Sequence, residues 1–303
     1  MSRVRARFLW PKYWPTWAAL WLLKVVARWS FARQLAFGAA LGALARRLPL
    51  PQRRVVRRNL ELCFPEKTAA EREAILRTHF EDAGITLPET ALVWFASGER
   101  LRALVQFEGL EELDRVTASG RGAILLAAHF TTLEIGARFA TATRAVHAVY
   151  KPSKNALLSE FFVRYRSAIS AGTIASDDIK RMVRVLRAGG VVWYAPDQAY
   201  RGKGAVMAPF FGIDAASNPA TSRLAALTGA AVLPYFVERL PGTAGYRARI
   251  GAPLENFPSG DPLADLRRFH ALIEREARRN PGQYLWLHKR FKGLDSRYPE
   301  VYR

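Results

Sequence analysis

Near its middle the chain reads Gly122-Ala-Ile-Leu-Leu-Ala-Ala-His-Phe-Thr-Thr-Leu-Glu-Ile-Gly136. It begins with an unbroken apolar run, which is typical of a strand that is buried on both faces of a sheet. Thr131 and Glu134 then have the spacing of a capping box, the pair of side chains that bonds the free N–H groups at the start of a helix. This stretch therefore predicts a buried strand, a short turn, and a helix whose N-cap is Thr131.

His129 and Glu134 stand on either side of the predicted helix start. On one continuous helix, side chains five residues apart point roughly 140° away from each other, so they would not meet. They can meet if His129 lies in the turn and Glu134 lies in the first helical turn. An imidazole that a carboxylate orients at the mouth of a sheet is a general base for a hydroxyl group. The structural alternative is that His129 is an ordinary turn residue and Glu134 only a cap.

Outward from this stretch, predicted strands and helices alternate along the chain. Short apolar runs predict further strands at residues 145–150, 191–195 and 230–237, and an edge strand at 247–250. Periodic apolar residues and capping signals predict helices at 31–48, 68–80, 87–95 and 178–187, a helix ending at 224–227, and one at 262–279. This alternation is typical of an α/β domain, with helices layered on a largely parallel or mixed sheet.

The N-terminal region is distinct in charge. Of 46 lysines and arginines, thirteen fall in residues 1–60, which contain no aspartate or glutamate. The same region holds five of the eight tryptophans, Trp10, Trp14, Trp17, Trp21 and Trp29. Tryptophan and cationic side chains together favour the boundary between lipid headgroups and acyl chains. We therefore predict that residues 1–50 are helical and anchor the protein to a membrane, while residues 51–303 form the enzyme domain.

Charged residues interrupt the apolar part of this anchor at Lys24, Arg28 and Arg33. The two longest uncharged pieces, 13–23 and 34–45, are shorter than the roughly 20 residues that a helix needs to cross the hydrocarbon core. A helix lying in or dipping into the cytoplasmic leaflet, where anionic lipids attract cations, is therefore favoured. A short tilted span in which Lys24 reaches back to the headgroups stays open.

The amino-acid composition excludes several classes of protein. With 303 residues, a net charge of +20 and a mean hydropathy of -0.06, the chain is globular rather than disordered or polytopic. Its single cysteine, Cys63, excludes a disulfide framework and a cysteine-based zinc site, and we predict that it is buried. The sequence has no Gly-x-Ser-x-Gly, Walker, Gly-x-Gly-x-x-Gly or His-x3-His motif, so no metal or organic cofactor is predicted.

Further polar residues are candidates for substrate binding. Cations that could bind an anionic group, or form a solvated basic face, are Arg164, Arg166, Lys180 and Arg181. Asp197 follows a predicted buried strand, where ligands gather in α/β sheets, although Pro-Asp is also an ordinary turn pair. His288 lies among cations, which favours a surface or headgroup contact over catalysis.

Four more stretches accompany residues 122–136: Pro11-Lys-Tyr-Trp-Pro-Thr-Trp17, Arg58-Asn-Leu-Glu-Leu-Cys-Phe-Pro-Glu66, Val192-Trp-Tyr-Ala-Pro-Asp197 and Gln283-Tyr-Leu-Trp-Leu-His-Lys-Arg-Phe-Lys292. Together and in this order they resemble the lipid A late acyltransferases, which add lauroyl or myristoyl groups. This family is part of the glycerolipid acyltransferase superfamily. The resemblance covers nearly the whole chain and implies the superfamily's α/β fold.

The resemblance also implies roles for individual residues. His129 and Glu134 match the catalytic His-x4-Asp/Glu pair of the family. Arg166 matches a basic residue of its active site, and Asp197 matches the acid that follows a later strand. Lys151 stands where the family pattern has arginine; lysine keeps the positive charge but loses the two-pronged geometry with which arginine holds a phosphate.

By this resemblance, the donor is an acyl-acyl carrier protein and the acceptor a Kdo-bearing lipid A precursor. The accepting hydroxyl would belong to a 3-hydroxyacyl chain, at the cytoplasmic face of a Gram-negative inner membrane, in lipopolysaccharide biosynthesis. An acyltransferase that acts on another membrane glycolipid or aminolipid is the alternative within the same class. A membrane-tethered nucleic-acid-binding protein would explain the positive charge but not the motif around His129.

Overall fold

The computed structural model describes residues 6–151, 155–161, 171–293 and 300–302. The strands within these ranges are β1 (Val105–Glu108), β2 (Ala123–Leu126), β3 (Val146–Tyr150), β4 (Gly172–Ala175), β5 (Val191–Tyr194), β6 (Val206–Phe210), β7 (Ile213–Ser217), β8 (Ala231–Arg239) and β9 (Tyr246–Ile250). Seven of these described strands form one sheet in the order β1-β9-β8-β2-β5-β3-β4, and β6 pairs with β7 in a separate hairpin.

The main sheet is largely parallel, which confirms the α/β fold predicted from the sequence. Its neighbouring strands run parallel except for β8 and β9, which are antiparallel. The prediction that residues 247–250 form an edge strand is wrong. β9 lies inside the sheet because β1, for which the sequence analysis predicted no strand, pairs with its outer side in the register Val105 to Tyr246.

The helices of the described residues are α1 (Trp14–Val26), α2 (Phe31–Arg47), α3 (Pro51–Cys63), α4 (Ala69–Phe95), α5 (Gly98–Arg102), α6 (Leu110–Ala118), α7 (Leu133–Thr143), α8 (Ile179–Arg187), α9 (Ala220–Thr228) and α10 (Pro262–Arg279). Residues 156–161 are also helical. Two predicted helices are fused in α4, which starts at the predicted capping box of Thr68 and Glu71 and continues through Pro88.

The sheet separates two hydrophobic cores, and β2 contributes to both. Ile124 and Leu126 point into one core, together with side chains of α3, α8, α9 and α10. Ala123 and Leu125 point into the other, together with side chains of α6 and α7. All four side chains are fully buried. The unbroken apolar run of β2 is thus explained by a layer of helices on each face of the sheet.

The N-terminal helices pack closely on α4. A Cβ atom added to Gly42 of α2 would lie 1.9 Å from the carbonyl oxygen of Phe80, and one added to Gly84 would lie 2.2 Å from that of Gly38. The backbones of α2 and α4 are therefore in direct contact, which only glycine permits. The boundary predicted at residue 50 stays a prediction, although these contacts join the two parts tightly.

The face of α1 that points away from α4 is apolar and open. Large exposed side chains on α1 and just before it are Leu9, Trp10, Trp14, Trp21 and Leu22. Leu20 and Val26 of α1 are buried instead, in apolar clusters that include side chains of α4. Within the described residues, every helix is too short or too polar to span a bilayer.

Candidate active site

Four parallel strands end at one cavity of about 450 Å³. Its lining includes a residue that follows each of these strands: His129 after β2, Lys151 after β3, Ser176 after β4 and Pro196 after β5. Because β2, β5, β3 and β4 are parallel neighbours, their carboxyl ends lie at the same edge of the sheet. This edge is where open α/β sheets bind their ligands.

His129 lines this cavity and is hydrogen-bonded to Asp197. The Nδ1 atom of His129 lies 2.6 Å from Oδ1 of Asp197, and the backbone N–H of His129 donates to both carboxylate oxygens at 3.0 Å. The side chain of Asp197 is 1% exposed, whereas that of His129 is 22% exposed. The carboxylate assigns the proton of a neutral imidazole to Nδ1, so Nε2 carries the lone pair.

The pKa values of His129 and Asp197 shift in opposite directions, and both shifts favour the charged pair. Burial lowers the pKa of His129, but the charge and hydrogen bond of Asp197 outweigh it and, with the charge of Glu134, raise this pKa. Burial likewise raises the pKa of Asp197, but the His129 ring and backbone N–H reverse the shift and lower it. The environment therefore favours an ionised Asp197 and stabilises the protonated form of His129.

Asp197, rather than Glu134, makes the hydrogen bond that orients the His129 ring. Glu134 lies in the first turn of α7 and lines the cavity, as predicted, and it acts on His129 through its charge. The orienting hydrogen bond that the spacing predicts for Glu134 is thus made by Asp197. Leu126 of β2 pairs with Tyr194 of β5, so the residues that follow these two strands meet. That long-range pairing is not visible in the local spacing of His129 and Glu134.

The prediction that Thr131 is the N-cap of this helix is wrong. The N-cap of α7 is Thr132, whose side chain makes no capping bond. Its hydroxyl instead donates to the carbonyl oxygen of Val237 in β8, at 2.6 Å. The backbone N–H of Thr131 donates to the carbonyl oxygen of Gln283 at 2.7 Å. Bonds to neighbouring chain segments have therefore replaced the local capping box.

Residues 283–292 do not line the cavity but make hydrogen bonds to residues of the site, a role that was not predicted for them. The backbone N–H of Leu285 donates to the carbonyl oxygen of His129 at 3.0 Å, and the hydroxyl of Tyr284 lies 3.4 Å from Oδ2 of Asp197. These contacts hold the turn that carries His129. The family resemblance of residues 283–292 is the one feature of the sequence that points to this role.

His288, in the same stretch, makes a contact within the protein, whereas the sequence favoured a surface or headgroup contact for it. Its Nε2 atom accepts the backbone N–H of Ala199, a cavity residue, at 3.0 Å. Burial lowers the pKa of His288 to about 4, so the ring stays neutral and remains an acceptor at neutral pH. His288 thus fixes the loop that follows Asp197.

Of the other residues singled out in the sequence, some lie within the described part of the structure and others do not. Lys151 is exposed and lines the cavity. Arg164 and Arg166 lie outside the described residues. Cys63 is fully buried, as predicted. Within the described part of the chain, no group of three His, Cys, Asp or Glu side chains is placed to hold a metal ion.

The fold and the site together define a class of enzyme. A partly exposed imidazole with its free nitrogen at a cavity, hydrogen-bonded to a buried carboxylate, can accept the proton of a substrate hydroxyl and return it to a leaving group. The mostly parallel α/β sheet holds this base where a ligand can enter. This arrangement is typical of α/β enzymes in which a histidine–carboxylate pair can serve as a base for group transfer to, or from, oxygen.

Comparison with known proteins gives the family. Residues 1–293 match a family model described as bacterial lipid A biosynthesis acyltransferase. The chain is 35% identical to the lipid A biosynthesis palmitoleoyltransferase of Escherichia coli, over 94% of this chain and 93% of the relative. It is 34% identical to the lauroyltransferase of the same organism, over 98% and 99% of the two chains. A Haemophilus influenzae lipid A biosynthesis acyltransferase is 32% identical, over 100% and 98%. The chain belongs to this family of acyltransferases.

Proposed function

We propose that this acyltransferase moves a fatty acyl chain from an acyl-acyl carrier protein to a hydroxyl group of a Kdo-bearing lipid A precursor. The observation that carries the proposal is the 2.6 Å hydrogen bond between His129 and Asp197 at the cavity. This pair supplies a base for a hydroxyl group, and a lipid acceptor of this kind offers one on its 3-hydroxyacyl chains. Acyl transfer in lipid A biosynthesis follows from the family.

In the proposed reaction, Nε2 of His129 takes the proton of the acceptor hydroxyl, and the oxygen of that hydroxyl attacks the carbonyl carbon of the thioester. The new C–O bond forms an ester, and the C–S bond breaks. The departing thiolate takes the proton from the imidazolium, which restores the base. Asp197 and Glu134 stabilise the positive charge that His129 carries between these two steps.

Three cations are proposed to hold the anionic parts of the substrates. Lys151 lines the cavity and presents one positive charge there. Arg164 and Arg166 are proposed for the same task by resemblance, with Arg166 offsetting negative charge on the thioester oxygen. Lipid A precursors carry phosphate groups, which suit both side-chain types.

The exposed face of α1 is proposed to lie in the membrane boundary, at the cytoplasmic face of a Gram-negative inner membrane. Trp14 and Trp21 are 63% and 68% exposed, which is costly in water but favourable among headgroups. The cavity rim is close to this helix, since Nδ2 of Asn155 donates to the hydroxyl of Thr16 at 3.0 Å. Ser159, from the same segment, lines the cavity. A lipid acceptor could thus reach His129 from the bilayer.

The decisive experiment supplies the purified full-length protein with lauroyl- or myristoyl-acyl carrier protein and a Kdo-bearing lipid A precursor. Mass spectrometry is expected to show a product heavier by one acyl group. Lipid A from cells with and without the protein should differ by the same mass. Transfer to another glycolipid or aminolipid, with none to the lipid A precursor, would establish the alternative acceptor instead.

A further inference from the structure

The helix α8 starts at the rim of the cavity. Ser176 lines the cavity, and α8 begins three residues later at Ile179. The carboxylate of Asp178 caps this helix by accepting the backbone N–H of Arg181 at 3.0 Å. The short, capped connection holds the first turn of α8 close to the entrance of the site.

One face of α8 is buried and the other is a basic surface. Met182 and Leu186 are fully buried against the sheet. The cations on the outer face are Lys180, Arg181 and Arg184, which are all exposed. Across the described ranges, none of these three forms an ion pair. Arg187 differs from them, because its guanidinium donates to the carbonyl oxygen of Leu227 at 3.0 Å.

This basic surface, defined as Lys180, Arg181 and Arg184 with Ile179, has a mixed character. Ile179 is 41% exposed and adds a small apolar area beside the three charges. Two exposed acids, Asp177 and Asp178, precede it, and the three cations outnumber them. Apolar contacts within a charged rim are typical of protein interfaces. The membrane face of α1 differs, because it exposes several large apolar side chains without such a concentration of charge.

We propose that the basic surface of α8 is the docking site for an acidic carrier protein that delivers the acyl thioester. The inference rests on the carrier-protein donor of the proposed function. Opposite charges speed the encounter and orient the carrier, and the position at the cavity rim lets its flexible thioester arm enter toward His129. Exposed cations suit this task, and in the part of the chain that the structure describes they have no ion pair that would have to break.

The test uses the full-length triple variant Lys180→Glu, Arg181→Glu and Arg184→Glu. Steady-state rates are measured with two donors, the acyl-carrier protein and the corresponding acyl-pantetheine thioester, at a fixed concentration of lipid acceptor. We expect kcat/KM for the acyl-carrier protein to fall at least about tenfold more than kcat/KM for acyl-pantetheine. Added salt should raise the KM of the wild type for the carrier protein more than it raises the KM of the variant.

The matched control is Arg267→Glu, which reverses one exposed charge on α10, a helix that contributes no residue to the cavity lining. Its donor preference should equal that of the wild type. The docking proposal is overturned if the triple variant loses activity equally with both donors, or keeps the wild-type carrier KM. It is also overturned if the variant instead loses binding to phosphatidylglycerol vesicles, since the surface then faces lipid.

Failure of the donor assignment would look different from failure of the docking site. If the wild type transfers from acyl-pantetheine but never from the acyl-carrier protein, the proposed donor is wrong, and the docking site with it. If the wild type uses the carrier efficiently and the triple variant does so equally, only the docking site is wrong. Binding of the unacylated carrier, measured by calorimetry on both enzymes, gives an independent readout.

Discussion

His129 and Asp197 each lie three residues beyond a pair of directly opposed strand residues. Leu126 of β2 pairs with Tyr194 of parallel β5, and the equal offsets bring the imidazole within 2.6 Å of the carboxylate. Because both turns leave the sheet at the same edge, His129 and Asp197 meet beside the cavity rather than inside the core. The proposed catalytic pair is thus a consequence of strand adjacency.

Removing the base should abolish most of the activity. His129→Ala is expected to lower kcat by at least about 100-fold, the usual contribution of a positioned general base. Its thermal unfolding should show that the fold survives. The control is His147→Asn, in β3, which does not line the cavity and should retain its rate. A well-folded His129→Ala enzyme with wild-type turnover would remove His129 from the mechanism.

Asp197→Asn keeps the size of the side chain but removes its charge. Asp197 raises the pKa of His129, so its neutralisation should lower this pKa. The neutral imidazole is the active base, and activity rises as the pH passes above its pKa. The acidic limb of the pH–rate profile should therefore move to lower pH in the variant, while the plateau falls by at least about 100-fold because the ring loses its orientation. An unchanged limb would contradict the assigned pairing.

Glu134→Gln separates charge from capping. The Thr132 cap uses no side-chain bond, so the substitution should cost little stability. The rate should fall because the charge that supports the imidazolium is lost, but by less than in Asp197→Asn, since Asp197 contacts the ring directly. Unfolding temperature and kcat are measured on the same preparation. A large loss of stability at an unchanged rate per folded molecule would show that Glu134 is only structural.

Gly42→Ala tests the contact between α2 and α4. Its Cβ would lie 1.9 Å from the carbonyl oxygen of Phe80, so the two helices would have to separate. We expect a loss of about 1–3 kcal/mol in the free energy of unfolding, the usual cost of overpacking. Gly98→Ala is the control, because its nearest atom would lie at an ordinary 3.4 Å. Equal stability of the two variants would show that α2 packs loosely.

The apolar face of α1 should control membrane binding. The triple variant Trp10→Gln, Trp14→Gln and Trp21→Gln should bind anionic vesicles at least about tenfold more weakly. Burial of one large apolar side chain contributes about 1.5–3 kcal/mol. All three are exposed, so the fold should persist. Leu227→Gln, at an exposed position on α9, is the control. Vesicle sedimentation that is unchanged by the triple substitution would place the membrane contact elsewhere.

Local signals in the sequence predicted much of the fold. The apolar run of β2, the capping box of Thr68 and the helix over residues 262–279 all occur as predicted. Each depends on residues that are close in the chain, whose periodicity and hydrogen bonds are the same in any protein. Residues 105–108 were missed because a strand of four residues with half-exposed side chains has a weak apolar pattern.

The sequence by itself determined that His129 leaves a buried strand at the mouth of a sheet, with Glu134 in the helix that follows. Only the tertiary structure decided which carboxylate orients the ring, because that depends on β5 lying next to β2. The same holds for Thr132, which bonds to Val237 of β8 instead of capping its own helix. Strand order arises from contacts between segments far apart in the chain, and these contacts cannot be predicted from the spacing of residues within one segment.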